Sequence, residues 1–479
     1  MTFRVVVRRT AAAVLSAGVL MTGACAGSSG DSSQPIPGPH GQGIGDPYYP
    51  DDGNRGYDVK AYHVSLSYYR SNQHIAATTS IVSKATARLA RFDLDLLGLH
   101  VLKVTVDGRP ATFSRAYAHE LVITPARPVR RHHQFLVRVQ YEGKPGSDSS
   151  TEVLSGWFDA RTTGAGFIAG EPHSCTLWYP CNDHPTDKAR FSLTATVPRP
   201  LAVISNGSEL KTTASTRPDG TRVRTFRWRL REATATYLTT IYIDKLTFDR
   251  SVLPNGIPVV SAYGPRPGAA PAREANLPQV LRLLARRWGP YPAPAAGGIF
   301  VSGSVPFSLE TFTRPLYTQG AAIPTILHEN AHQWWGDNVS VKRWRDVCLN
   351  ECIASYSQWL WSEHNGRNLD RRYRRGVSGQ PGWLTTPIYD MGAGHEFDGA
   401  GVYLKGAFFV HALRNKIGDA AFFKAMKGIQ RDRAGGNMSM IDLRNTLEQR
   451  TGVDLTSFWN DWVLHARFPS HANLYPGDL

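Results

Sequence analysis

His328-Glu329-Asn330-Ala331-His332, with Glu351 further along, is a set of side chains that could hold one metal ion and hydrolyse an amide. Histidines four apart on a helix project from the same face, about one turn apart. Both imidazoles then reach a single metal at roughly 2.0–2.1 Å. Glu329 stands beside the first ligand, where it can hold and deprotonate a water molecule. Glu351 can supply a carboxylate from a second helix. Two His and one Glu leave a fourth position open, the catalytic arrangement rather than the closed structural one, and the expected cofactor is one Zn2+ per chain. A metzincin would need Gly three residues after His332 and His three later again. Trp335 and Asn338 stand there, which excludes that subclass.

The elements that must position these groups divide the chain in two. From about residue 57 to 255 the pattern is mostly strands. Tyr62, Val64, Leu66 and Tyr68 alternate with period two. So do Leu102, Val104 and Val106, which run into an Asp107-Gly108 turn. Phe135 to Tyr141, Phe191 to Val197 and Phe226 to Leu230 repeat the pattern. Many short strands between Gly, Pro and Asn turns predict an antiparallel β-sandwich or saddle over residues 51–260. The Pro and Gly cluster from Pro265 to Pro271 reads as a boundary. The pattern then turns helical, so a mainly α domain is expected over 261–479, making the fold class α+β. Pro324 is placed for the first turn of the helix carrying His328 and His332. Asp346 is expected to cap the helix carrying Glu351, and Gly366 to end it. Further helices are expected from about Val402, Asp419, Ile441 and Leu455. Trp334, Trp335, Trp344, Trp359, Trp361 and Trp462 read as helix-packing core residues.

At 479 residues the chain has ample length for sizeable cores. The net charge of +15 is unusual, and part of it lies in a leader. Arg4, Arg8 and Arg9 precede an apolar stretch, Ala11 to Met21, too short to span a bilayer but suited to a secretory signal. Residues 1–24 are therefore expected to be a signal peptide. Thr22-Gly23-Ala24-Cys25 looks like a bacterial lipoprotein cleavage box, which would make Cys25 the lipidated first residue and hold the protein at the outer face of the cell membrane. Plain secretion is the alternative. The following Gly, Ser, Pro and Asp residues up to position 50 read as a flexible tether. Basic clusters such as Arg130-Arg131 and Arg371-Arg372 are either solvated surface charge or a means of attraction to anionic head groups. No nucleic-acid motif accompanies them, so no nucleic-acid partner is expected.

Apart from Cys25, four cysteines remain: Cys175, Cys181, Cys348 and Cys352. An even number outside the cytoplasm predicts two disulfides, with three pairings open. Cys348 and Cys352 are one helical turn apart, which is expected to strain a direct bridge. Cross-pairing with Cys175 and Cys181 would instead join the two halves beside the metal set.

Taken together, these residues resemble the M1 (gluzincin) family of metallo-aminopeptidases over roughly residues 45 to 470. Gly45-Asp46, Gly53-Asn54 and Gly56-Tyr57-Asp58 look like the opening of the family's two-domain bacterial members. Glu171, Trp178 to Pro185 and Lys188-Ala189-Arg190-Phe191 are similar to the signature at the base of its N-terminal sheet domain. Phe307-Ser308-Leu309-Glu310-Thr311 stands where the family has Gly-Ala-Met-Glu-Asn. His328 to Asp337 resembles the zinc helix, Leu349-Asn350-Glu351 the second one, and Tyr403 to Ala407 the catalytic tyrosine segment. Ser457 to Trp462 resembles the end of its thermolysin-like domain.

The resemblance implies a thermolysin-like catalytic domain in which His328, His332 and Glu351 bind zinc. It implies that Glu329 is general base and proton donor, that Tyr403 stabilises the oxyanion, and that Glu310 and Glu171 hold the substrate's α-ammonium group. Peptides with an unblocked N-terminus would be the substrates. The chain also departs from the family. Only Glu310 survives from the Gly-Ala-Met-Glu-Asn loop. Cys352 replaces the Gly that usually follows the glutamate ligand, and Asn330 occupies a usually apolar position. Longer members add a large helical domain, so a more open cleft is expected. A metallo-endopeptidase, or a surface binding lipoprotein with a redundant site, is the competing expectation.

Overall fold

The computed structural model describes residues 43–117, 119–149, 154–160, 164–303 and 305–479, all within one compact unit. The expected signal peptide and lipidated Cys25 lie outside the described residues.

The strand-rich half is built on a nine-stranded sheet. At its centre Tyr57–Tyr69 pairs antiparallel with His74–Ala85 and parallel with Ala189–Pro198. Arg222–Thr234 continues the sheet on one side, Gln134–Gly143 and His100–Val106 on the other. The period-two pattern explains the burial. Tyr62, Val64, Leu66 and Tyr68 face inward with Phe191, Leu193, Phe226 and Trp228, and alternate residues face out. The parallel pair was not legible in the sequence, because alternation does not encode strand direction.

One predicted alternation is corrected. Leu102 is 51% exposed, whereas Val101, Val104 and Val106 are buried. The register against Gln134–Gly143 shifts between Val101 and Lys103, and the extra residue turns Leu102 outward. Asp107 and Gly108 both take positive φ, 50° and 76°, and make the expected turn.

A five-stranded sheet and a three-stranded sheet complete this half. A four-stranded sheet follows, made of Thr247–Val252, Pro258–Tyr263, Ile299–Val301 and Leu316–Thr318. Its strands come from both sides of the Pro265 to Pro271 cluster. Helices dominate thereafter, including Leu277–Trp288, Ile323–Ala331, Cys348–His364, Gly406–Ile417, Asp419–Asp432 and Met440–Thr451. Trp334, Trp335, Trp344 and Trp462 are fully buried and Trp359 nearly so, while Trp361 is only half-buried. One hydrophobic cluster runs through both halves.

Two further expectations are corrected. Asp346 does not cap Cys348–His364. Val347 holds the cap position without a side-chain bond, and the Asp346 carboxylate accepts the Met440 amide at 2.9 Å. The disulfides are Cys175–Cys181 and Cys348–Cys352, not cross-paired. At the first turn of its helix Cys348 comes within 4.7 Å of Cys352, Cα to Cα, which is inside the range a disulfide accepts.

Candidate active site

The helix Ile323–Ala331 carries Pro324 in its first turn, where a missing amide costs nothing. His328 lies in its last turn. His332 follows the final helical residue but keeps helical angles, φ −60° and ψ −24°, so both imidazoles stay on one face. Their ring centroids are 4.8 Å apart. Glu351, in the first turn of Cys348–His364, meets them from across the helix pair. Its Oε2 is 3.1 Å from His328 Nε2 and 3.6 Å from His332 Nε2. The three ligand atoms lie within 4.8 Å of one another. Both rings are buried, and His332 Nδ1 donates to the Trp335 carbonyl at 3.0 Å, which leaves Nε2 as the ligand atom. Gly336 keeps this ring in place: with φ of 128°, a Cβ there would stand 3.3 Å from His332 Nδ1. Desolvation opposes the charged forms, but the fields of both imidazoles still hold the Glu351 carboxyl down to about 2. Two imidazoles and an ionised carboxylate, buried and convergent, are a donor set that fits zinc.

Four carboxylates converge here. Glu310 and Glu329 each place an oxygen within 4.8 Å of a His332 ring nitrogen, and Glu171 and Glu310 do so with Glu351. All four are nearly inaccessible. Burial first, then the neighbouring carboxylates, pushes Glu171 and Glu329 well above the usual carboxylate range. Glu171 Oε1 is buried without a hydrogen-bond partner. The Glu310 main chain is set by an antiparallel bridge between Leu309 and Leu316 and by Gln333, whose amide donates to the Glu310 carbonyl at 3.1 Å.

Tyr403 lies on a π-helical turn, Gly399–Lys405, that leads into Gly406–Ile417. Its ring centroid is 5.9 Å from that of His328, and at 36% exposed it is the open member of the group. Desolvation, then the charges of Glu351, Glu171, Glu310 and Glu329, hold its phenol well above its ordinary range, so it remains a hydrogen donor. Lys405 next to it is buried and donates to the Thr386 carbonyl at 2.9 Å.

Sequence reasoning missed Tyr237. Its hydroxyl donates to Glu310 Oε1 at 3.2 Å from the short turn Thr236–Leu238, where no local motif marks it. Asn330, the polar intruder in the zinc helix, donates to the Tyr317 hydroxyl at 2.9 Å and to its own helix.

Comparison with known proteins places both halves of the chain in one family. Residues 58–238 match the Peptidase M1 N-terminal domain and residues 313–462 the Peptidase family M1 domain. An M1 zinc metallopeptidase from Deinococcus radiodurans superposes with a TM-score of 0.81 at 27% identity, over 90% of this chain and 98% of its own. A mutant of it was solved with a Tyr-Ser-Ala substrate. Probable aminopeptidase 1 of Saccharolobus solfataricus is 24% identical over 86% of this chain and 54% of its own length. Aminopeptidase 2 of Candida albicans is 22% identical over 65% of this chain and 36% of its own length. The chain thus spans only about a third to a half of these two curated relatives. With the family's N-terminal and peptidase domains matched in order, and a zinc-type donor set within the second, the chain belongs to peptidase family M1.

Proposed function

We propose that the protein is a zinc metallo-aminopeptidase that removes N-terminal residues from peptides. The observation that carries this reading is the convergence of Glu171 and Glu310 on the same few ångströms as Glu351. Paired carboxylates there bind the α-ammonium of a substrate's first residue, set its register against the metal ligands, and limit cleavage to one residue at a time.

His328, His332 and Glu351 hold zinc, which when bound supplies a Lewis acid for the scissile carbonyl and a water of lowered pKa. Glu329 takes a proton from the attacking water and returns it to the leaving amine. It is buried beside His332, within reach of a water held between them. Tyr403 donates to the oxyanion as charge develops on the carbonyl oxygen. Tyr237 orients Glu310 through their hydrogen bond.

The test is release of a fluorophore from aminoacyl substrates, beside the same peptides with an acetylated N-terminus. Cleavage confined to unblocked substrates supports an aminopeptidase. Equal cleavage of blocked peptides would make the protein an endopeptidase. No cleavage by a zinc-loaded protein would favour the binding-lipoprotein reading.

We also propose that it works outside the cytoplasm, anchored through a lipidated Cys25. The Thr22-Gly23-Ala24-Cys25 box supports this, as do the two disulfides, which persist in oxidising compartments. Mass spectrometry of the mature N-terminal peptide, with Cys25→Ala as control, decides between lipidation and plain secretion.

A further inference from the structure

Outside the active site, a second buried group converges. Asp95 and Glu120 are cross-strand partners on Phe92–Asp95 and Glu120–Thr124, 1% and 0% exposed. Like charges directly opposite on paired strands repel, and burial intensifies the repulsion. Among the described residues no Lys or Arg forms an ion pair with either. Asp95 is served: the Asp183 amide donates to Oδ2 at 2.5 Å, Gly53 to Oδ2 at 3.2 Å and Asn54 to Oδ1 at 3.1 Å. Glu120 is not, since its Oε1 is buried with no hydrogen-bond partner and its Oε2 has only a 3.5 Å contact from Asn54.

His119 faces the same point. One ligand atom each from Asp95, His119 and Glu120 lies within 4.8 Å of the others. His119 Nε2 is 3.8 Å from both Asp95 Oδ1 and Asp52 Oδ1, and 3.2 Å from the Asp51 carbonyl oxygen. Asp52 Oδ1 and the Asp51 carbonyl thus lie beside the His119 ring, and Asp52 is otherwise paired with His173 at 2.8 Å. The His119 side chain is 19% exposed, which leaves an entry path at the rim.

We propose that Asp95, His119 and Glu120 bind a divalent cation, with Asp52 Oδ1 and the Asp51 carbonyl beside it. Oxygen donors outnumber nitrogen, which disfavours the sulfur- and imidazole-rich sites of structural zinc. The imidazole disfavours Ca2+. Mn2+ is the ion whose preferences fit both. The cation cancels the paired carboxylates and satisfies the orphaned Glu120 oxygen. It also ties the segment Asp51–Asn54 to the sheet. That segment continues from Tyr48 and Tyr49, whose hydroxyls donate to Asp390 and Glu396 in the loop leading toward Tyr403. The site is thus a clamp between the strand-rich half and that loop.

The test uses the full chain, stripped with chelator and reloaded with one equivalent of Zn2+, which fills the active site. Mn2+ is then titrated and followed by its EPR signal, with zinc counted by mass spectrometry, so the result does not depend on peptidase activity. The wild type is expected to bind one Mn2+ per chain and to rise in Tm. Glu120→Gln, isosteric with a protonated Glu, is expected to weaken Mn2+ at least about tenfold while keeping its zinc. His119→Gln, at the partly exposed rim, is the second variant and decides the matter should Glu120→Gln fail to fold. Tight binding of Ca2+ or Zn2+ instead, lost in the same variants, supports the site and changes its ion. No second ion on the wild type at millimolar Mn2+, Ca2+, Mg2+ or Zn2+, or equal binding by the variants, overturns the proposal.

Discussion

Lys188 Nζ donates to the Asp337 carbonyl at 2.9 Å, joining the strand-rich half to the turn that follows His332. The same ammonium reaches the carbonyls of Asn338 at 3.0 Å and Gly436 at 3.1 Å. One side chain therefore holds the chain just past His332. Asp337 in turn donates its amide to the His332 carbonyl at 3.0 Å. Lys188→Met removes these bonds; Ser340 still serves the Asp337 and Gly436 carbonyls, while the tie to Asn338 is lost. A loss of about 2 kcal/mol is expected, measured by urea unfolding. An unchanged midpoint would mean that water replaces the ammonium.

Glu329→Gln keeps size and hydrogen bonding but cannot accept a proton. Its kcat on aminoacyl substrates is expected to fall about 10²–10⁴-fold. Zinc content should stay at one per chain, because Glu329 is not among the proposed ligands. Metal loss in this variant would instead assign Glu329 a place in the donor set.

Glu310→Gln removes one of the carboxylates proposed to face the α-ammonium. We expect KM for unblocked peptides to rise about tenfold or more, with discrimination against acetylated peptides reduced. A charge-assisted bond contributes about 1.5–3 kcal/mol, which sets that scale. Steady-state kinetics on matched blocked and unblocked peptides measures it. A change in kcat alone would place Glu310 elsewhere in the reaction.

Gly406 packs against the Cys348–Cys352 disulfide, and a Cβ at 406 would stand 2.4 Å from Cys352 Sγ. Gly406→Ala is expected to cost about 1–3 kcal/mol through overpacking. In a Cys348→Ser, Cys352→Gly background the same Gly406→Ala change should cost less, because the side chain that the added methyl group meets is then gone. Thermal unfolding of the wild type and of the single, double and triple variants tests this pairing. An equal fall in Tm on Gly406→Ala in both backgrounds would show that Gly406 is needed for another reason.

Glu274 is buried against Ser261, whose hydroxyl donates to Oε1 at 3.0 Å, while Oε2 has no partner. Desolvation pushes its carboxyl from 4.5 up to about 8. The folded pKa is the higher one, so its contribution is complete below about pH 4.5 and is lost as pH rises through 8. Wild-type stability should therefore fall between pH 5 and pH 9, by a few kcal/mol at most from this group. Glu274→Gln mimics the protonated form and should flatten that part of the profile. Urea midpoints at the two pH values, compared between the proteins, measure the effect. Parallel profiles would assign the fall to other groups.

How much of this was legible beforehand differs by element. His328 and His332 share one face as their spacing predicts, because helix periodicity is a local property, whereas Glu351 joins them through the packing of a second helix. Glu310, Glu171 and Tyr403 were placed by family resemblance, and all three fall around that set. The inward faces of the main strands followed from period-two alternation, except at Leu102, where a register shift depends on the partner strand.

The amino-acid sequence by itself determined the donor types, their helical spacing, the alternation that buries one face of each strand, and the change from strands to helices. Tertiary structure alone decided what links residues far apart in the chain. It brought Tyr237 to Glu310 and Lys188 to Asp337, and set Asp95 opposite Glu120. It also chose the local disulfides over the cross-paired ones, by the approach of Cys348 to Cys352 at a helix start. Such contacts depend on how sheets and helices pack against one another, and no short stretch of sequence carries that information.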